Sequence, residues 1–298
     1  MDLTLLSVKD KQLFDVFLHT RPHALCAYAF ENIYSWSSLY EVSWAKVDQN
    51  LCVFFKDSLG CFLYLPPLGA RISAQAVDAA FSYLRGANRY PLVARIENIE
   101  EEDAGFFRDA GYNVAHKFGD YVYRRAKLAA LAGDGFKSQR ASLNYCSKHY
   151  AVSLDEFCLA HAQECLDLYR AWAAKKKAAQ VDPVFCGMID DSYTCLEALC
   201  RQWKALACVG RVARIQGEIR AFSVGYRVHK DMFCIAFEIA DASIKGLAQF
   251  IFRGFCRDLA GYAYINAMDD SGLINLRKAK LSYRPEKLVP AYIATNHG

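Results

Sequence analysis

The sequence predicts an α/β protein with mixed sheets, made of two domains in tandem that follow one plan. Three observations carry this reading. The chain has 298 residues, about twice a typical domain length. Its content of 54% hydrophobic and 14% aromatic residues, with no long polar tract, supplies ordinary cores and argues against disorder. The order of elements in the first half then recurs in the second.

In the first half, VKDKQLFDVFLHT and AFENIYSWSSLY read as helices. Three strand-like runs follow, VSWAKVD, NLCVFFK and CFLYLPP, parted by turn signals at Gln49-Asn50 and Ser58-Leu59-Gly60, as in an antiparallel meander. A helix in SAQAVDAAFSYLRG, a strand at PLVARI, a helix in EEEDAGFFRDAG and strands near YNVAHK and DYVYRR complete the series.

The second half repeats it. SLDEFCLAHAQECLDLYRAWAAKKK and DSYTCLEALCRQWKAL read as helices, and ACVGRVARIQ, EIRAFSVGYRV and DMFCIAFEIA as three strands. Gln216-Gly217 and His229-Lys230-Asp231 mark the turns between them. A helix in KGLAQFIFRGFCRDLAG, a strand at YAYINAM, a helix in SGLINLRKAKLSY and a short strand near VPAYIAT close the chain. The Gly-Asp-Gly that ends KLAALAGDG marks the junction, giving domains over 1–130 and 131–298.

The opening MDLTLLSVKDKQLFDVF begins with Asp2 and carries Lys9 and Lys11 inside the pattern, unlike a signal peptide. Apolar runs such as FIFRGFCRDL are broken by charge well before the roughly 20 residues of a membrane span. Twelve cysteines without an export signal point to reduced thiols in a cytoplasmic compartment. No CxxC occurs. Cys158, His161 and Cys165, at i, i+3 and i+7, would share a helix face, but buried thiols are the better reading and no metal is assigned. A net charge of +4 is mildly basic, short of a dedicated nucleic-acid module. Lysines 175 to 177 read as a solvated helix end and receive no role.

A meander leading into helix, strand, helix and strand is the element order of GNAT acyltransferases. YLPPLGA at 64–70, GDGFKSQRASLNYCSKHY at 133–150 and YINAMDDSGLINLRKAKLSYRP at 264–285 narrow this. Together these segments resemble a soluble bacterial family related to the C-terminal domain of phosphatidylglycerol lysyltransferase. The resemblance runs over nearly the whole chain and implies two tandem GNAT-like acyltransferase domains, as in Fem-type aminoacyltransferases. It also implies transfer of an aminoacyl group from a charged tRNA to an amine or hydroxyl on a lipid or peptide.

Acyl transfer needs a place for the donor's phosphates, an oxyanion partner and a proton acceptor. GNAT enzymes hold phosphates at a helix N-terminus, and the matching segment here is IADASIKGLAQF, with Lys245, Gly246 and Leu247 as cofactor-binding candidates. It reads equally as a degenerate phosphate loop or as an ordinary strand-to-helix turn, since the usual glycine signature is absent.

Arg277, Lys278 and Lys280 lead a cluster of five cations with Arg284 and Lys287. This could grip a tRNA phosphate, a lipid head group or a carboxylate, or be a solvated basic helix end. Asn266 and Asp270 follow a strand, where α/β sheets place functional groups. Asp270 is a base candidate or a helix cap. Glu238 ends a strand as a general-base candidate, or lies at the surface. Tyr283 is a proton-donor candidate or a loop anchor. Lys137 and Arg140 open a helix and are phosphate candidates.

No cofactor is assigned beyond the candidate donors, aminoacyl-tRNA or acyl-coenzyme A, and transient contact with anionic lipid is a further expectation. An acyl-coenzyme A-dependent N-acyltransferase and a catalytically silent binding protein are the alternatives. A serine hydrolase is disfavoured because no Gly-x-Ser-x-Gly occurs.

Overall fold

The structure is a computed structural model that describes residues 1–180 and 182–296. In chain order its main elements are β1 (Thr4–Leu5), α1 (Lys11–Leu18), α2 (Phe30–Ser35), β2 (Glu41–Val47), β3 (Asn50–Lys56), β4 (Cys61–Leu63), α3 (Ala74–Ala87), β5 (Arg95–Glu100), α4 (Glu101–Asp109) and β6 (Asn113–Arg124). There follow α5 (Arg125–Ala130), α6 (Lys137–His149), β7 (Val152–Glu156), α7 (Ala162–Ala179), α8 (Pro183–Arg201), β8 (Val209–Ile215), β9 (Glu218–His229), β10 (Met232–Ala240), α9 (Leu247–Asp258), β11 (Tyr264–Asn266), α10 (Ile274–Ser282) and β12 (Lys287–Thr295).

These elements form two compact units. The first takes Met1–Asp120, the short segment Asp269–Gly272 and the chain from Leu288, and the second takes Tyr121–Met268 with Leu273–Lys287. The two units are therefore interleaved in sequence, the last strand belonging with the first.

In the first unit the strands run β1-β2-β3-β4-β5-β12. Ser73 caps α3 by accepting from the Ala76 amide, and Ala76, Val77, Ala80, Phe81 and Leu84 form its buried face. That face packs on Phe54, Leu63 and Ile96 in one apolar cluster. β4 and β5 run parallel and meet at Leu63 and Ile96. Beyond that point the strands are tied by side chains: Asn98 Nδ2 donates to the Tyr64 carbonyl at 2.9 Å, and the Tyr64 hydroxyl donates to Asn32 at 2.6 Å.

A buried carboxylate anchors the loop before α2. Glu100 accepts from the amides of Ala24 and Leu25 at 2.7 and 3.2 Å and pairs with His23 at 2.8 Å, while the His23 ring stacks on Tyr28. Burial alone would raise the Glu100 carboxyl, but the His23 contact and the two amides outweigh it and hold it below its ordinary value.

In the second unit the order is β6-β11-β10-β9-β8-β7. Gln216 and Gly217, with φ of 53° and 84°, form the two-residue turn between β8 and β9 that matches strand twist. α9 buries Leu247, Ile251, Phe252, Phe255 and Cys256. Its first half packs on Ala213, Ala221 and Cys146, its second on Phe233, Ile235 and Ile265. Gly246 precedes α9 with φ 85°, and its Cα faces the backbone carbonyl of Ser142 in α6.

Local structure departs from expectation in places. SLDEF is not the start of a helix: β7 forms there, with Val152 and Leu154 turned toward the apolar cluster, and α7 begins only at Ala162. Ser153 and Glu156 mimic a capping box, but alternation with the neighbouring strand wins. Cys158 and His161 consequently lie outside the helix that holds Cys165, so no shared helix face exists. YNVAHK and DYVYRR form one strand, β6. No helix among the described residues is long and apolar enough to cross a membrane.

Two outcomes follow. Glu100→Gln should cost about 1–3 kcal/mol at pH 7 in urea unfolding. Because the folded pKa is depressed, Glu100 contributes its stability above 4.5 and loses it as pH falls through the folded value, so mutant and wild type should converge in acid. Gly246→Ala should cost about 2 kcal/mol or more, combining left-handed strain with a collision against the Ser142 carbonyl.

Candidate functional site

The site begins where two parallel strands part. β10 and β11 pair from Met232–Tyr264 to Cys234–Asn266. β11 then stops, because Asn266 Oδ1 accepts from the Met268 amide at 2.6 Å and Met268 turns with φ 61°. β10 continues to Ala240, paired only with β9 on its other side. Gaps of this kind, at the C-terminal ends of parallel strands, hold ligands in α/β folds.

Into this gap the sheet delivers Glu238. Phe233 and Ile235 face α9, so strict alternation would turn Glu238 to the opposite face. A register shift between Ile235 and Phe237 reverses the alternation. Glu238, paired with Ser223 of β9, therefore looks toward α9, as Ala240 does.

Glu238 retains partial solvent access. Burial pushes its carboxyl up to about 8, against the opposing pull of the Lys280 ammonium. None of the described residues hydrogen-bonds it. Lys280, on the inner side of α10, is held by the carbonyls of Ala267 and Met268 at the end of β11 and lies 5.6 Å from the Tyr121 ring centre. Tyr283 packs edge-on against Phe252 at 4.8 Å. Burial and then the Glu238 charge raise its phenol, while a hydrogen bond with Gln249 opposes them. Tyr123 is raised by burial, by Tyr121 and by Glu238, and its hydroxyl donates to the Lys280 carbonyl at 2.9 Å.

One cluster thus contains a carboxyl poised near neutrality, an ammonium and a phenol that keeps its proton. These are the parts that acid–base catalysis of acyl transfer uses.

The remaining candidates have surroundings of their own. Asn266 is fully buried and caps its own turn. Asp270 belongs to the first unit, is buried, and accepts from the Gly272 amide at 3.0 Å. Arg277 and Lys278 are exposed on α10. Arg140 donates to the carbonyls of Leu131 and Gly133, closing the end of α5, whereas Lys137 is exposed at the start of α6. Lys245 lies 4.7 Å over the Tyr145 ring, and Leu247 is buried. No group of His, Cys, Asp and Glu among the described residues is arranged to hold a metal.

Sequence reasoning missed Tyr123, Gln249, Ser223 and Gln139. Among the described residues Ser223 Oγ and Gln139 Oε1 are buried without a partner, and Gln139 Nε2 holds the Ser282 carbonyl and hydroxyl at 2.9 and 3.1 Å, fixing α10 beside Tyr283. Tyr123 was legible only as an aromatic in a strand; nothing in the sequence couples it to a helix 157 residues later.

Glu238 also carries a stability signature. A carboxyl whose folded value lies near 8 resists ionisation that the unfolded chain accepts, so the protein loses stability as pH rises from about 4.5 to 8. Glu238→Gln should therefore raise Tm, by an increment that is small at pH 4.5 and grows to a plateau above pH 8, as calorimetry across that range would record.

The structure superposes on solved proteins over nearly its full length. A conserved protein of unknown function from Bacteroides thetaiotaomicron is 24% identical, with 99% of each chain covered and a TM-score of 0.88. The C-terminal domain of a putative lysylphosphatidylglycerol synthetase from Agrobacterium fabrum is 16% identical, covering 98% of this chain and 93% of its own, with a TM-score of 0.66. A tandem GNAT protein from the clavulanic acid biosynthesis pathway is 9% identical, covering 100% and 99%, at 0.51. No curated protein matches the chain. At these identities the likeness shows the fold, a mixed α/β tandem GNAT arrangement. The family comes from the sequence itself, since the model for the C-terminal region of phosphatidylglycerol lysyltransferase matches residues 20–295. The chain belongs to the phosphatidylglycerol lysyltransferase C-terminal family of acyltransferase-like proteins.

Proposed function

We propose that the second unit transfers an aminoacyl group from a charged tRNA to an amine or hydroxyl of a lipid or peptide. The observation that carries this reading is the Glu238 carboxyl, raised to about 8 beside Lys280 and Tyr283 in the gap between β10 and β11. The acceptor oxygen or nitrogen bonds to the acyl carbon as the ionised Glu238 takes its proton. The tetrahedral intermediate collapses by breaking the ester bond to the tRNA, and the Tyr283 hydroxyl protonates the departing oxygen. Glu238 then returns its proton to the phenolate. Lys280 offsets the negative charge that Glu238 carries at the start of the cycle.

A charged tRNA is favoured over acyl-coenzyme A by two features. α6 presents Lys137, Tyr145 and Lys148 at the surface, with His149 stacked on Tyr145 at 4.0 Å and Lys245 above the same ring. Cations interleaved with an aromatic suit a nucleic-acid backbone and an unpaired base. The start of α9, where a coenzyme's phosphates would sit, already faces the Ser142 carbonyl at Gly246 and donates the Leu247 amide to Ile244. A carbonyl oxygen there opposes an incoming phosphate.

The test is release of labelled amino acid from aminoacyl-tRNA in the presence of anionic lipid or peptide amine. The rate should rise with pH through a midpoint near about 8. Glu238→Gln should lower kcat by roughly 10²–10⁴ and flatten the profile. Tyr283→Phe should lower kcat with little change in KM. Affinity for tRNA should fall steeply with added salt. Thermal protection by acyl-coenzyme A with none from tRNA would replace this reading with the N-acyltransferase alternative.

A further inference from the structure

Ser223 is the fully buried neighbour of Glu238. The two are partners across β9 and β10, and the same ladder pairs Ala221 with Ala240, both packed in the cluster under α9. No register shift separates those two pairs, so Ser223 and Glu238 share the α9 face, with β carbons about 5 Å apart. That spacing puts a serine hydroxyl within one hydrogen bond of a glutamate carboxyl. Among the described residues Ser223 Oγ has no partner, and the carboxyl accepts no hydrogen bond. Packing does not account for the serine. Alanine stands at 213 and 221 in the same cluster, and alanine at 223 would bury no hydroxyl stripped of its hydrogen bonds to water.

Other titratable and charged groups surround the carboxyl. From α10, Lys280 reaches the carbonyls of Ala267 and Met268; from β6, Tyr123 donates to the Lys280 carbonyl; and Tyr283 bonds Gln249. From α9 comes the buried Cys256 thiol, pushed up by burial and then by the Glu238 charge. On β8, Arg211 lies opposite Ser223 and is held by Asp258 of α9 at 2.7 Å.

We propose that Ser223 is a positioning residue for Glu238, its hydroxyl donating to the carboxylate once the proton has left and holding that group in the gap between β10 and β11. Ser223 is 0% exposed, so it meets no substrate and acts through Glu238 alone. A charged carboxylate gains more from such a bond than a neutral carboxyl does. The bond therefore favours ionisation and opposes the effect of burial. The inference rests on the transfer reading for its effect on rate, and on the Ser223–Glu238 pair alone for its effect on acidity.

The test is calorimetry of the full chain from about pH 5 to about pH 10, comparing wild type, Ser223→Ala, Glu238→Gln and the double variant. Removing the hydroxyl should move the folded Glu238 midpoint from about 8 to about 9, a tenfold change in its acidity constant. A carboxyl whose folded value lies above its unfolded one costs stability as pH rises, until the folded value is passed. The Tm difference between wild type and Ser223→Ala should therefore be constant below about pH 7, widen between about 8 and 9 and then level off. In the Glu238→Gln background it should not vary with pH. Ser223→Thr, which keeps the hydroxyl, should follow the wild-type profile. In the transfer assay Ser223→Ala should lose nearly tenfold in kcat at about pH 7 with KM unchanged, and regain the wild-type rate at alkaline pH. A Tm difference that ignores pH, one that keeps its pH dependence in the Glu238→Gln background, or a Ser223→Thr profile matching that of Ser223→Ala would each overturn the proposal. The expected calorimetric profile with no transfer by the wild type would sink the catalytic reading and leave the Ser223–Glu238 bond standing.

Discussion

The parting of β10 and β11 is the constraint on which the arrangement of the second unit's titratable cluster depends. A parallel pair needs both partners to continue, and β11 has only three paired residues before Asn266 folds back on the Met268 amide. The unpartnered length of β10 that results is where a carboxyl can meet ligand instead of a neighbouring strand. The register shift at Ala236 then chooses the face. Without that extra residue Glu238 would point away from α9, Lys280 and Tyr283, and the cluster would lack its carboxyl.

The first unit contains the same parting and closes it. β4 and β5 meet at Leu63 and Ile96, and past that point Asn98 bonds the Tyr64 carbonyl, Tyr64 bonds Asn32 and the Tyr28 hydroxyl bonds the Asn98 carbonyl. Every polar group named there is satisfied by the chain itself. In the second unit the corresponding space holds a carboxyl with no hydrogen bond from a described residue, and Ser223 beside it has a buried hydroxyl without a partner among the described residues. Unpaired polar groups of this kind cost about 1–3 kcal/mol each. Satisfied polar contacts in the first unit and unsatisfied ones in the second distinguish two otherwise similar partings.

α10 shows how little burial a helix needs when its C-terminal end is held by polar contacts. Its backbone is pinned by the Tyr123 hydroxyl and by Gln139, and Lys280 reaches back to the end of β11. Those polar ties replace the apolar face that α3 and α9 use. The outer residues are thereby released from any packing duty.

Much of this protein was determined by the sequence alone. Hydrophobic periodicity and turn residues specify the repeated helix, strand and turn order, because they act over a few neighbours, and the sequence over residues 20–295 specifies the family. Glu238 and Tyr283 were legible as candidates because a strand end and a basic helix end are local features. The sequence could equally support β7 as a helix, since Ser153 and Glu156 imitate a cap. Only tertiary structure decided that β7 pairs with β8, that the last strand joins the first unit, and that one bulge turns Glu238 toward Lys280. Each of these depends on contacts between residues far apart in the chain, and a carboxyl's acidity is set by the atoms that surround it in space.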